Sequence, residues 1–568
     1  MNGLLIGAYS LLDGVGIDDW IISSANSSVW NAWAGSVSTD DAHKGGGYGS
    51  QAERAELENK KYTAQNVILH DRWRYYYAGI QRANEALRGL NKLPAGELTT
   101  EEALQIRAEA IFLRAVYHLQ AAQMWRNIPY IDETVTFNAG NYNVSNRPEK
   151  YAWAKIEEDF KYAADNLTPT KTQIGRANKW AAKAFLAKTF MQQGKQAEAK
   201  PILDDIIANG LTSGGARFEL EPEFSRVFRA RHDNGPESVF AVQMSVNDGG
   251  AGRNGNEGES FNYPGNAGSQ SFGGWGHHPS FNLVNAYKTE NGLPMLDNFN
   301  DADVKNDLSV KPSDPFTPYT GTLDPRLDWT VARRGLPFHD WGLHTEEPNK
   351  QAGPYKGKKW IYWKEETGGK GSEVIDGWQY ASGINFNMIR FSDILLWAAE
   401  CEVEIGDLQK AEDLVNRIRT RAANPAGFLK KYVNDADPSL GFSSTPAANY
   451  VITTYSGANG FAAKGKDYAR KAVRFERRLE LAMEGHRFFD LQRYDLQQPG
   501  YMADLLNKYM PEEVAKFEFY LPSPQTYDIL KGAVFVKGKH EIYAIPQVQI
   551  DQSAETSGPT LIQNPGHN

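Results

Sequence analysis

Residues Arg474 to Tyr494, RFERRLELAMEGHRFFDLQRY, gather the residue types used in acid–base chemistry: Glu476, Glu480 and Glu484 at every fourth position, then His486, with arginines on both sides. A carboxyl with a raised pKa facing an ionised one, or a histidine poised near neutrality, would make such a stretch catalytic. The spacing argues for another role. Phe475, Leu479, Ala482, His486 and Phe489 follow the alternation of a buried helical stripe, and the glutamates fall on an adjoining face with Arg487 one turn beyond Glu484. The stretch reads as frame, one packed helix carrying a ladder of ion-pair partners.

Other candidate motifs fail on context. GAGRNG, Gly250 to Gly255, spells a dinucleotide fingerprint after a strand-like SVFAVQMSV. No helix-forming pattern follows to offer an N-terminus to a pyrophosphate. His277 and His278 are adjacent and lack the i, i+4 spacing that aims two imidazoles at one metal. The acidic run DNFNDADVKND, Asp297 to Asp307, misses the spacing and central glycine of an EF-hand loop and reads as a solvated acidic loop. There is no Gly-x-Ser-x-Gly elbow, phosphate loop or Cys-His signature. A glycosidase pair of carboxylates is neither located nor excluded by sequence. Binding is therefore favoured over chemistry, with no catalytic residue, metal or cofactor assigned.

Composition narrows the class. The chain has 568 residues with Lys and Arg at 61 against Asp and Glu at 70, a net charge of -9 that offers no attraction to nucleic acid. The single Cys401 cannot form an internal disulfide, and no apolar run is long enough to span a bilayer. Aromatic residues reach 12%, with 14 tryptophans, in a chain whose mean hydropathy is -0.55. Many rings thus stand in polar surroundings, where they are candidates for ligand contact.

The elements that must position such rings are helical. WRYYYAGIQRANEALRGL, Trp73 to Leu90, places Tyr76, Ile80, Ala83, Leu87 and Leu90 on one face. A second helix opens at a Thr99 or Thr100 cap, runs to Trp125 and is closed by Pro129. AFLAKTFMQQGKQAEAKPILDDII and ILLWAAECEVEIGDLQKAEDLVNRI superpose on Gly194 and Gly406, so that Ala184 matches Leu396, Ala187 matches Ala399, Ala199 matches Ala411, Leu203 matches Val415 and Ile206 matches Ile418. This is a tetratricopeptide-type pattern, in which small side chains let paired helices approach closely. Trp73, Trp125, Trp153, Trp180 and Trp397 lie in these helices and are assigned to the core, and Trp30 and Trp33 also look structural.

The fold class is mainly α, a discontinuous tetratricopeptide-like helical scaffold interrupted by a large irregular, loop-rich insertion. The divisions are 1–220, a helical part; 221–385, rich in Gly, Asn, Ser and aromatic residues; and 386–568, a helical part completing the scaffold. Loops of this length are functional or disordered, and the density of rings argues for function.

Several long segments, in order, resemble the SusD/RagB family, surface glycan-binding lipoproteins of the Bacteroidota. They are RAEAIFLRAVYHLQAAQMWRNIPYI, FNMIRFSDILLWAAECEVEIGDLQKAEDLVNRIRTRA, VRFERRLELAMEGHRFFDLQRY and the tail YAIPQVQIDQSAETSGPTLIQNPGHN; DPRLDWTVARRGLPFHDWG and STDDAHKGG resemble segments of one subgroup. The resemblance implies non-catalytic capture of oligosaccharides for a SusC-like TonB-dependent outer-membrane transporter, without a cofactor, as part of nutrient uptake through polysaccharide utilisation. It implies an outer-membrane, surface-exposed lipoprotein. The lipobox cysteine is missing, so the anchor is expected to have left with the signal sequence.

Sugars offer apolar C–H faces rimmed by hydroxyls, and rings plus polar side chains meet both. Candidate ligand residues in the insertion are Trp275, His277, Trp341, Trp360, Trp363, Trp378 and Tyr380. Asp40, Asp41, His43 and Lys44 join them because the resemblance places their loop beside the ligand surface. The alternatives left open are a peptide-binding member of the fold, a glycoside hydrolase and a protein-binding repeat scaffold.

Overall fold

A computed structural model describes residues 1–14, 24–27, 31–47, 49, 51–246, 277–345, 351–367, 372–375, 379–521 and 527–567. Its spine is a run of antiparallel helices: α1 (Asn2–Ser10), α2 (Val67–Asn91), α3 (Thr100–Trp125), α4 (Tyr151–Asn166), α5 (Lys179–Gln192) and α6 (Gln196–Asn209). Three of them, α2, α3 and α5, begin where a side chain supplies a partner for an orphan amide. Asn66 accepts from the Ile68 N–H at the start of α2, and Asn178 from the Ala181 N–H at the start of α5. Thr99 and Glu102 close a reciprocal capping box on α3, with Glu101 and Glu102 in the positive first turn. The Thr99 cap and the end at Trp125 agree with the expectation from sequence.

The chain then leaves the spine and returns with α7 (Phe391–Ile405) and α8 (Leu408–Ala422). Helix α6 packs directly on α7, so the repeats on either side of the insertion form one stack. All ten residues aligned above, from Ala184 and Leu396 to Ile206 and Ile418, are 0% exposed, as close packing of small and branched side chains requires. Trp73, Trp125, Trp153, Trp180 and Trp397 are buried in the same core, as expected.

One expectation needs correction. The stretch from Arg474 to Tyr494 is two helices, α9 (Lys466–Leu481) and α10 (Arg487–Gln497), followed by α11 (Tyr501–Tyr520). The chain breaks at Ala482 to His486, where Met483 and Gly485 take φ of +67° and +78°. That turn is held by close approach of the helical turn Ala32–Val37. A Cβ on Gly35 would lie 2.0 Å from the Gly485 carbonyl oxygen, so both glycines are required by space or by backbone angle. Gly35→Ala is expected to cost about 1–3 kcal/mol through forced separation of the two turns, read as a lowered urea midpoint with an unchanged slope.

Strands are short. β1 (Ala42–His43) pairs with β3 (His278–Pro279), β2 (Ser238–Val242) with β6 (Phe386–Arg390), and β4 (Val331–Ala332) with β5 (Lys356–Gly357), all antiparallel. β3 also lies against β5. These pairings bring the loop after residue 38, the segment from His277 and the turns around residues 331–363 together on the helices α9 to α11.

Candidate functional site

The floor of this region is ionic and buried. Arg326, Arg390, Arg419, Arg421 and Lys359 meet Glu237, Asp324, Glu476, Glu480 and Glu484, charge for charge, at 5% exposure or less on the basic and acidic side chains concerned. Glu480 alone receives Arg326 at 2.9 Å, Arg390 at 2.5 Å and Arg421 at 2.5 Å. Burial acts to raise its pKa, but the three guanidiniums outweigh it and hold the carboxyl well below the usual range. The break after α9 turns Glu484 onto Arg390 and Lys359, and its pKa is lowered to about 2. The glutamate ladder therefore bolts the insertion to the helices. It is frame, and it lies inside the molecule rather than along an adjoining face.

The loop bearing four of the expected ligand residues belongs to the same floor, which corrects its placement beside a ligand surface. Asp40 takes both ends of Arg487, at 2.8 and 2.9 Å, and stands 3.1 Å from Arg478. Burial opposes its ionisation, but Arg478 and Arg487 lower its pKa to about 2. Asp41 accepts from Arg478 at 2.9 Å, yet burial leaves its pKa raised. His43 is clamped between Glu58 and Glu513, each at 2.9 Å, and Lys44 donates to the carbonyls of Gly45 and Gly47. All four are at most 2% exposed. Asp40 borders a cleft of about 420 Å³ that it shares with Asn282, Phe299, Arg474, Arg478 and Tyr501.

The expected rings divide in a similar way. Trp360 is 3% exposed and enclosed by Phe228 and Phe386, at 5.6 and 5.3 Å. Trp363 has Arg229 over its ring at 4.0 Å and His339 stacked at 5.1 Å, with Trp329 next in line. Both are therefore corrected from sugar-facing to supporting, because their faces are already covered. Trp341 keeps partial exposure, while its indole N–H donates to the Tyr362 carbonyl at 3.0 Å. The turn that carries it is fixed by Tyr432, whose hydroxyl donates to the His339 carbonyl and accepts the Gly342 N–H. His277 is buried with φ of +61°, and burial lowers its pKa to about 3, so it is neutral and internal rather than ligand-facing. Trp275 and Trp378 lie outside the described residues. Tyr380 stands in the strand Gln379–Ser382, opposite Val374.

Sequence reasoning missed the partners that make the ring tier: Arg229, Trp329, His339 and Phe442. Trp329 was flagged only through the DPRLDW segment, and Phe442 lies too far along the chain for any local pattern to join it to Trp363. The acidic run from Asp297 is not simply solvated either. Asp297 pairs with Lys471, Asp303 with Lys516 and Asn285, and Asp307 is 3% exposed near Arg334.

Residues 236–567 match the model of the SusD family, and residues 17–191 match one described as "Starch-binding associating with outer membrane". The chain belongs to the SusD family. A SusD-like protein P2 of Formosa agariphila is 24% identical over 84% of this chain and 82% of its own. Among solved structures, a SusD homolog from Bacteroides thetaiotaomicron aligns with a TM-score of 0.66 at 18% identity, over 100% of this chain and 96% of that one. A structure titled "Laminarin binding SusD-like protein" aligns with a TM-score of 0.62 at 22% identity, over 100% and 98%. These likenesses establish the fold, including the interrupted helical stack. Among the described residues, no helix is long and apolar enough to cross a membrane.

Proposed function

We propose that this SusD-family protein is a non-catalytic glycan-capture protein that delivers oligosaccharides to a partner TonB-dependent transporter at the outer membrane, held there by a lipid anchor. The observation that carries the reading is the ring tier of Trp329, His339 and Trp363 with Trp341 at its accessible edge, bolted by buried ion pairs to a scaffold of this family. Such a support is preorganised, so little conformational freedom is lost when a sugar stacks on the accessible Trp341. Trp275, Trp378 and Tyr380 remain proposed ligand contacts. The division of labour follows the sequence segments: residues 1–220 and 386–568 as scaffold, 221–385 as ligand region.

The hydrolase reading is weaker. Asp307, whose pKa burial raises to about 6, is enclosed rather than facing an open cleft, and the deeply buried Asp40 and Glu484 are locked by arginines. Calorimetric titration with neutral, acidic and amino-sugar oligosaccharides, followed by mass spectrometry of the recovered sugar, tests the proposal. The expected result is saturable binding with unchanged ligand mass, weakened about tenfold by Trp341→Ala. Cleaved product would move the protein to the hydrolases, and binding of peptides without sugars would favour the peptide-binding alternative.

A further inference from the structure

A second concavity lies on the scaffold, away from the ring tier. It is a groove of about 860 Å³ between α2, the loop following α3 and the C-terminal tail, and none of the residues lining it comes from 221–385. Phe137 and Tyr142 stand at its edge, 76% and 50% exposed, stacked on each other at 5.0 Å with 28° between their planes. Two large exposed rings held together on a loop are costly unless something covers them, because each leaves apolar surface in water.

The loop that carries them is built rather than slack. The Tyr77 hydroxyl donates to the Pro129 carbonyl at 2.8 Å, and Arg88 donates to the Glu133 carbonyl at 3.1 Å. Within the loop, the Asn141 side chain accepts from the Thr136 N–H and donates to the Thr134 carbonyl, and Asp132 accepts from the Thr134 N–H. Amide and charged groups line the same groove, among them Gln81, Asn138, Lys92 and Gln552. Ile80, Ile131, Val135, Val144 and Leu561 line the groove alongside these polar groups, so apolar and polar surface share it. Flat apolar faces beside amides and ammonium groups are the complement of a pyranose chain, apolar on its faces and hydroxylated on its rim.

We propose that this groove is a second carbohydrate-binding site, in which the exposed ring of Phe137, braced from behind by Tyr142, stacks on a sugar of an oligosaccharide chain. The assignment rests on the capture reading above and adds to it a distinct contact, so that a long polysaccharide is held at two places on one molecule. Two tethered contacts raise retention on long chains far more than on short ones. Lys92, Arg74 and Arg88 against Glu85 also allow the groove to accept acidic sugars in a chain that is acidic as a whole.

The test uses the full chain, its Phe137→Ala/Tyr142→Ala double variant and Trp341→Ala, with laminarin, amylose and alginate as probes in affinity gels and their short oligosaccharides in calorimetry. Both altered rings of the double variant are exposed, so its circular dichroism melt should match the wild type. The expected result is a loss of retention on the long polymer that binds, about five- to tenfold, and the loss of one of two calorimetric binding events on the short chain. Neutral against acidic polymers identify the sugar class. Wild-type binding that the double variant leaves unchanged in both retention and stoichiometry overturns the groove and leaves capture standing, the outcome also expected if the groove instead seats a protein. Failure of the wild type to bind any of the probes overturns both readings.

Discussion

Glu480→Gln is expected to destabilise the protein by about 3–5 kcal/mol while leaving its surface unchanged. The side chain is 0% exposed and is the shared acceptor of Arg326, Arg390 and Arg421. The amide has nearly the same shape, but it removes the negative charge and turns two donor hydrogens toward guanidiniums that are themselves donors. Those cations cannot escape to water, because Arg326 and Arg390 are also 0% exposed and tie the insertion to α9. The whole stability of a folded chain is of the order of 5–15 kcal/mol, so the change is a large fraction of it. A matched control is Lys161→Ala, which breaks an exposed i, i+4 pair with Asp165 and should shift stability by no more than about 0.5 kcal/mol. Urea unfolding of the three proteins decides the matter. A loss below about 1 kcal/mol for Glu480→Gln would show that the network is not what holds the insertion.

The contrast between that buried network and its reading from sequence marks where local pattern stops being informative. The helices were legible because their evidence is local: the Thr99 cap, the spacing from Tyr76 to Leu90, and the alanines that match across Gly194 and Gly406. The interruption was legible as a change in texture, but not the direct contact of α6 with α7 that closes it. The glutamate ladder was recognised as ion-pair frame. Its depth was hidden, because Arg326, Arg390 and Arg419 reach it from other parts of the chain and i, i+4 spacing describes exposed pairs equally well. The break at Ala482 to His486 was missed because its cause, the approach of Gly35 to Gly485, is tertiary. Rings suffer the same limit. Trp341, Trp360 and Trp363 are alike as letters in Gly-rich sequence, and only the covering of Trp363 by Arg229 and of Trp360 by Phe228 and Phe386 separates supports from a ring with an open edge.

His43 should make the protein lose stability on the alkaline side. Its ring joins Glu58 on the helix Ala52–Glu58 to Glu513 on α11, with Tyr527 donating to the same Glu58 carboxylate. Burial alone would lower the imidazole pKa, but the hydrogen bonds and charges of Glu513 and Glu58 outweigh it and raise the pKa to about 9. A folded-state pKa raised above the unfolded value of about 6.5 means stability that is fully present below pH ~6.5 and is lost as pH rises through about 9. A shift of this size corresponds to roughly 3 kcal/mol. Nearby Lys60 acts in the opposite sense: burial lowers its pKa to about 7, so its unfavourable buried charge is relieved as pH rises. Wild-type stability alone therefore mixes the two, whereas the difference between wild type and His43→Gln isolates the histidine. That difference should be about 3 kcal/mol at pH 6 and shrink steadily to a small residue by pH ~10. Urea midpoints collected at half-unit steps across this range measure it directly. A gap that stays constant would mean that His43 is neutral in the folded protein.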